Sequence, residues 1–120
     1  MPYVLGMITA IDAHYYLAKD LDRAMTFYRD ALGLPIDQEF ASGVEFVLAD
    51  GSAFGIAKMP GDEWHQGGGV MFAVPDVAAA LERVRAGGGS VFGEPMDYPV
   101  CTTAWCADPE GNTFALHRRK

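Results

Sequence analysis

A duplicated pattern constrains the fold of this chain more than any other feature of its sequence. KDLDRAMTFYRDALG at 19–33 and PDVAAALERVRAGGG at 75–89 each follow an apolar segment, and apolar residues recur in both at helical spacing. Each opens on an acidic residue suited to a helix N-cap, Asp20 or Asp76. The offset between these two residues is 56, so the sequence predicts two copies of one unit.

The ends of the two halves match as well. ADGSAFGIAK at 49–58 runs parallel to ADPEGNTFALHR at 107–118, with an offset of 60 at the last strands. Each half is predicted to hold a strand, a helix and three more strands, at 11–18, 21–32, 36–41, 44–49 and 53–59, and then at 69–75, 77–86, 90–93, 101–107 and 112–118. We therefore expect an α+β fold in a single domain, 1–120, built from modules at 11–59 and 69–118. Each module buries one sheet face under its helix, and the other faces are expected to line a shared cleft.

The charge, hydrophobicity and cysteine content of the chain limit which kinds of binding partner and which cellular compartment we expect. The chain has 120 residues, and its net charge of −7 argues against nucleic acid, which needs clustered Lys and Arg. The charge would suit a cationic small molecule in a cleft, and a solvated acidic surface that aids solubility is the competing interpretation. No apolar run approaches the ~18 residues of a membrane span, and the first residues lack the basic region of a signal peptide, so we expect a cytoplasmic protein without a membrane partner. Cys101 and Cys106 lie in one predicted strand, roughly 16 Å apart at ~3.3 Å per residue, so they are expected to be reduced, structural thiols.

Two motifs carry a family resemblance. DLDRAMTFYRDALGL resembles the D-L-x-R-A-x-x-F-Y-x-x-x-L-G-L signature of the vicinal oxygen chelate superfamily, which includes glyoxalase I, bleomycin-resistance proteins and extradiol dioxygenases. DPEGNTFAL resembles the D-P-x-G-N-x-x-E-L signature of the same superfamily, and with the repeat the resemblance covers essentially the whole chain. It implies paired βαβββ modules that form a cupped mixed sheet around a ligand cavity.

The resemblance also implies four positions at which such enzymes hold a divalent metal, one on the first and last strand of each module. The last-strand positions fall on Gly55 and Ala115, and the first strand of the second module offers Val70, none of which has a donor side chain. Counting from the first signature puts the fourth position on Ala13, whereas counting by the internal repeat puts it on His14. One histidine cannot hold such an ion alone, so we expect no metal and no other cofactor.

The remaining candidates are side chains that would line a ligand cleft. Trp105 is implied by the resemblance, because the position three before the D-P-x-G aspartate faces the cavity, and an indole offers a flat apolar face with one N–H donor. Core packing competes with this role for Trp105, Tyr15, Phe46 and Phe72, and a position at the solvent-exposed rim competes with it for His117. Tyr98 lies in a predicted loop and could close over a ligand with its hydroxyl. The predicted ligand-binding residues are Tyr15, Phe46, Phe72, Tyr98, Thr103, Trp105 and His117.

These observations favour a metal-free binding protein that holds a small planar or aromatic ligand in an apolar cleft, as the antibiotic-sequestering members of the family do. The resemblance implies a homodimer. The alternative is a glyoxalase-type lyase or isomerase, or a dioxygenase-like enzyme, with non-standard metal ligands or with acid–base groups such as His14 or His117. The sequence contains no recognisable nucleophile motif, and it identifies no catalytic residue.

Overall fold

The computed structural model describes residues 6–120 and contains two similar βαβββ halves. The segment at 1–5, part of the stretch without a basic region, lies outside the described residues. In the first half, β1 (His14–Leu17) leads to α1 (Leu21–Thr26) and a π-helical turn (Phe27–Ala31), and β2 (Ile36–Phe40), β3 (Gly43–Val47) and β4 (Ala53–Ala57) follow. In the second half, β5 (Val70–Ala73) leads to α2 (Val77–Ala86), β6 (Ser90–Asp97), β7 (Cys101–Ala107) and β8 (Thr113–Arg119). Within residues 6–120, no helix is long and apolar enough to cross a membrane.

Both helices begin as the sequence predicts. The side chain of Asp20 accepts a hydrogen bond from the Arg23 amide at 3.1 Å, and the side chain of Asp76 accepts one from the Ala79 amide at 3.0 Å. Each carboxylate satisfies one of the amides that a helix start leaves without a partner inside the helix. Gly33 follows the π-helical turn with a φ of +73°, a conformation that favours glycine and ends the helical segment.

The strands form two mixed four-stranded sheets of identical topology. The first has the order β1-β4-β3-β2 and the second the order β5-β8-β7-β6. In each, the first and last strands of the half pair in parallel and the other pairs are antiparallel. This arrangement confirms the predicted α+β class and the predicted repeat. The prediction differs from the structure most at β1, which is shorter than 11–18, and at β6, which continues past residue 93 to Asp97. The strands β2 to β5 are each shorter than predicted by one to three residues.

The core lies on one face of each sheet, where aromatic rings from both halves meet. Phe54 of the first sheet and Phe72 of the second pack edge to face with centroids 5.2 Å apart, and Phe72 lies 5.8 Å from Phe114. Tyr28 from the π-helical turn packs 5.0 Å from Phe54. Burying one such side chain contributes about 1.5–3 kcal/mol, so this shared cluster holds the two halves together.

Polar contacts also join the halves. The Tyr16 hydroxyl donates to the Thr113 carbonyl oxygen at 2.7 Å and accepts from the Val70 amide at 3.2 Å, which links β1 to the second sheet. At the start of α1, the Glu110 carboxylate accepts hydrogen bonds from two backbone amides and one guanidinium of the first half. The cluster and these bonds fix how the sheets sit relative to one another.

Candidate functional site

The face of the second sheet opposite the core carries a row of four apolar side chains, of which three are exposed and one, Ala115, is buried. Strand pairing places Met71, Ala115, Trp105 and Phe92 side by side across β5, β8, β7 and β6. These residues alternate with core residues because successive side chains of a strand point to opposite faces. The fractional exposures are 49% for Met71, 41% for Trp105 and 53% for Phe92. We call this face the open face of the second sheet.

A second row runs beside the first on the same face. Here His117 pairs with Ala73 on one side and with Thr103 on the other, and Thr103 pairs with Met96. His117 is half-buried, Thr103 is buried and Met96 is exposed. The Tyr98 hydroxyl donates to the Met96 sulfur at 3.2 Å, which holds the tyrosine at the end of this row. The open face therefore combines flat apolar surface with three polar groups at one margin.

The corresponding face of the first sheet is more polar. The Tyr15 ring lies across Gly55, where an added Cβ would come within 2.3 Å of a ring carbon, and its hydroxyl donates to the Glu45 carboxylate at 2.8 Å. Partial burial and the neighbouring Glu45 carboxylate raise the pKa of Tyr15 above its ordinary value. This face thus presents a neutral phenol paired with a carboxylate.

The donor atoms on these faces do not fit a divalent metal. The strand register corrects one assignment, because Val70 pairs with Phe114 on the core side and Met71 is the residue beside Ala115. In the first sheet Tyr15, and neither Ala13 nor His14, lies beside Gly55. Among the residues from 6 onward, no group of three or more His, Cys, Asp or Glu side chains is placed to hold an ion.

The predicted ligand-binding residues separate into two groups in the structure. Phe46 and Phe72 are buried on the core faces of their strands, so the structure separates them from the open faces. Sequence reasoning missed the exposed apolar residues Met71, Phe92 and Met96, and it missed Glu45. Phe92 lies within the predicted strand at 90–93, whereas Met96 lies beyond its end, after the irregular pairing of β6 with β7. The predicted residues on the open faces are Tyr15, Thr103, Trp105 and His117, with Tyr98 at the end of the second row.

Neither cysteine takes part in a disulfide. Cys101 is half-buried and Cys106 is buried on the core face of β7. Burial raises the pKa of the Cys106 thiol to about 11, so almost none of it is the reactive thiolate near neutral pH. Cys106 is therefore a packing residue.

Comparison with known proteins agrees with this architecture. The model of the Glyoxalase/Bleomycin resistance protein/Dioxygenase superfamily matches residues 10–116. CFP32 of Mycobacterium bovis (strain ATCC BAA-935 / AF2122/97), whose name assigns it provisionally to the glyoxylases, is 38% identical over 104 residues, covering 79% of this chain. The match spans only 38% of the length of CFP32.

Solved structures with 20–21% sequence identity share the fold. TnmS3, an antibiotic binding protein from Streptomyces sp. CB03234, superposes with a TM-score of 0.77 and 20% identity, over 97% of this chain and all of that one (100%). A lactoylglutathione lyase from Agrobacterium tumefaciens gives a TM-score of 0.72 and 21% identity, over 94% of this chain and 96% of that one. The family match over residues 10–116, together with the two βαβββ halves, establishes that the chain belongs to the glyoxalase/bleomycin resistance protein/dioxygenase superfamily.

Proposed function

We propose that this protein binds a small planar or aromatic molecule on the open face of the second sheet, without the help of a metal ion. The observation that carries the proposal is the row that contains Met71, Trp105 and Phe92, three large apolar side chains that are each 41–53% exposed. Trp105 and Phe92 are neighbours, and the small Ala115 lies between Trp105 and Met71. Contiguous exposed apolar surface of this kind marks binding sites more often than ordinary surface. A flat ring laid against it gains about 25 cal/mol for each Å² of apolar area removed from water.

Polar groups at the margin of the row would fix the orientation of the bound ligand. Tyr98, Thr103 and His117 carry hydroxyl or imidazole groups that donate or accept hydrogen bonds, whereas the centre of the row offers almost none besides the indole N–H of Trp105. A site with a flat apolar floor and a few polar groups at its edge is the usual form of a small-molecule pocket. The ligand we propose is therefore a ring system with one or two polar substituents.

The charge of the protein favours a cationic ligand. The net charge is −7, and Glu45 brings a carboxylate to the open face of the first sheet. An acidic protein raises the local concentration of cations and speeds their association. The similarity to the antibiotic binding protein TnmS3 supports the same kind of role, although at 20% identity it concerns the fold.

A homodimer is part of the proposal, because one chain leaves its apolar surface uncovered. Besides the open face, Met7, Ile8 and Ile11 are 97%, 85% and 77% exposed. A second copy would cover such surface and enclose a ligand against the open face. Light scattering on the purified protein should give about twice the chain mass of 13.0 kDa, and a value near 13.0 kDa at micromolar concentration would contradict the dimer.

The experiment that tests the binding site replaces Trp105 with alanine and measures the affinity for the planar cation proflavine by equilibrium dialysis. Loss of a buried aromatic contact should weaken binding by about 1–3 kcal/mol. Trp64→Phe is the matched control, because Trp64 donates to the carbonyl oxygen of Leu17 at the end of β1 and lies under Lys19, away from the row. Unchanged affinity in Trp105→Ala, or an equal loss in Trp64→Phe, would contradict the proposed site.

A second candidate function is enzymatic, and the pairing of Tyr15 with Glu45 favours it. A carboxylate held at 2.8 Å by a phenol on an open sheet face is positioned to exchange a proton with a bound substrate. The names of CFP32 and of the Agrobacterium tumefaciens lyase support a test with lactoylglutathione. Turnover that Glu45→Gln abolishes, while proflavine affinity is retained, would support this candidate, and absence of turnover in the unmodified protein would remove it.

A further inference from the structure

The two halves differ where the turn before the last strand of one half, β3–β4 or β7–β8, faces the helix start of the other half. In one of these two contacts, the Glu110 carboxylate of the turn at 108–112 accepts hydrogen bonds from the amides of Lys19 and Asp20, both at 2.7 Å. It also accepts one from the Arg23 guanidinium at 2.8 Å. The Glu110 side chain is completely buried. We call this arrangement the Glu110 clasp.

The other contact has the same turn but no clasp. The Leu48 amide donates to the Ser52 carbonyl oxygen at 2.9 Å, as the Asp108 amide does to the Asn112 carbonyl oxygen at 2.8 Å. By this register Asp50 takes the place of Glu110. Its side chain is one methylene shorter, and it accepts hydrogen bonds from the amide and hydroxyl of Ser52 at 3.0 and 2.6 Å. The Asp50 carboxylate therefore makes its hydrogen bonds within its own turn, to Ser52.

A cavity of about 330 Å³ opens at the second contact, between the turn at 48–52 and the start of α2. Two residue differences between α2 and the corresponding first helix help to create this cavity. When the two halves are aligned with the 56-residue offset, Ala79 corresponds to Arg23 of the clasp, and Arg83 corresponds to Phe27, the residue after α1. Phe27 is buried, whereas Arg83 is exposed at the edge of the cavity and donates to the Asp30 carbonyl oxygen at 3.0 Å. The walls are mainly apolar, with Leu34, Leu48, Phe72, Val74, Ala80 and Leu116 among the lining residues.

One backbone amide at the cavity, that of Asp76, corresponds to an amide that binds Glu110 in the clasp. Asp76 corresponds to Asp20 and has the same extended backbone, with φ −144° and ψ 103° against −125° and 104°. The Asp20 amide donates to Glu110, whereas within residues 6–120 the Asp76 amide donates no hydrogen bond to a protein acceptor. Arg83 also lines the cavity, and in the described part of the chain no carboxylate lies within 4.0 Å of its guanidinium. Its positive charge can therefore balance a bound anion as well as the Asp76 carboxylate.

We propose that this cavity is a second ligand site and that it takes a small aryl carboxylate. The carboxylate would occupy the place that Glu110 fills at the other contact, against the Asp76 amide, and the aromatic ring would occupy the place that Phe27 fills. A volume of about 330 Å³ suits a molecule of this size. The site is separate from the open face of the second sheet, because Trp105, Met71 and Phe92 are not among the residues that line it.

A titration of the ¹⁵N-labelled protein with 3-phenylpropanoate, followed by amide chemical shifts, tests the proposal. Saturable shifts are expected at Leu48, Asp76 and Ala80, and 3-phenylpropanamide, which lacks the charge, should bind at least about fivefold more weakly because it loses the charge-assisted hydrogen bond. Shifts confined to the open face, or equal affinity for the acid and the amide, would overturn the proposal.

Matched variants of α2 locate the site. Ala80→Leu places a larger side chain in the cavity and should abolish binding, while Ala78→Leu, at an exposed position of the same helix that does not line the cavity, should leave it unchanged. Arg83→Glu should weaken binding about fivefold or more, and Arg85→Glu should not, because Arg85 lies outside the cavity and pairs with Glu82. Retained binding in Ala80→Leu contradicts the site. Trp105→Ala must bind the acid normally, since a loss there would place the probe on the open face.

Discussion

Replacing Glu110 with alanine should lower the free energy of unfolding by about 3–5 kcal/mol. The Glu110 carboxylate is fully buried and accepts two amide hydrogen bonds of 2.7 Å and one guanidinium bond of 2.8 Å. Each amide bond to a charged group is worth about 1.5–3 kcal/mol, so the two amides account for most of the loss. The Arg23 side chain is 51% exposed, and its ion pair is therefore expected to add no more than about 1 kcal/mol.

Urea denaturation monitored by circular dichroism measures this loss. Arg23→Gln should cost less than about 1 kcal/mol, because the carboxylate keeps both amide bonds. Glu82→Ala serves as the matched control, since Glu82 is 78% exposed and forms a similar pair with Arg85 on the surface; its cost should stay below about 0.5 kcal/mol. A loss below about 1 kcal/mol in Glu110→Ala, or an equal loss in Arg23→Gln, would refute the reasoning that the buried carboxylate joins the halves through the backbone amides.

Two further predictions concern buried titratable groups. The Tyr28 hydroxyl donates to the Asp108 carboxylate at 2.7 Å, and burial and, second to it, this carboxylate raise the pKa of Tyr28 well above its ordinary value. Tyrosine therefore ionises at a lower pH in the unfolded chain than in the folded one. The stability contributed by neutral Tyr28 is complete below about pH 10 and should fall as the pH rises further. Tyr28→Phe should cost about 1 kcal/mol at pH 7 and should flatten that alkaline decline in urea titrations; an unchanged decline would exclude Tyr28 as its source. At pH 8 a thiol with a pKa of about 11 is thiolate in about one molecule in a thousand, so peptide mass spectrometry should find iodoacetamide on Cys101 well before Cys106, and the reverse order would contradict the burial of Cys106.

The repeat and most elements could be predicted from the sequence because their determinants are local. Acidic N-caps, helical spacing and strand alternation predict α2 at the observed bounds, and they predict β7 at Cys101–Ala107. The continuation of β6 to Asp97 was missed because its pairing with β7 is irregular between Phe92 and Met96, and an irregular register interrupts the alternation on which the prediction rests.

The parts of the site that could not be predicted depend on register and on contacts between the halves. The sequence predicts Val70 on the face of Ala115, but Met71 is the residue that pairs with Ala115. This difference of one residue places the Val70 side chain on the opposite face. Phe46 and Phe72 could not be separated from Trp105, because buried and exposed aromatic residues have the same strand spacing. The Glu110 clasp joins residues about 90 positions apart, and no local pattern indicates such a contact.

The central claim is that a planar ligand binds against Trp105 without a metal ion, and fluorescence of the Trp64→Phe variant tests it most directly. In that variant Trp105 is the single tryptophan, so its emission reports contact with a bound molecule. Titration with a cationic, a neutral and an anionic planar probe, each before and after treatment with a chelator, should give saturable quenching that is strongest for the cation and unaffected by chelation. Absence of saturable quenching by all three probes would contradict the claim, as would quenching that disappears when the chelator removes a stoichiometric metal ion.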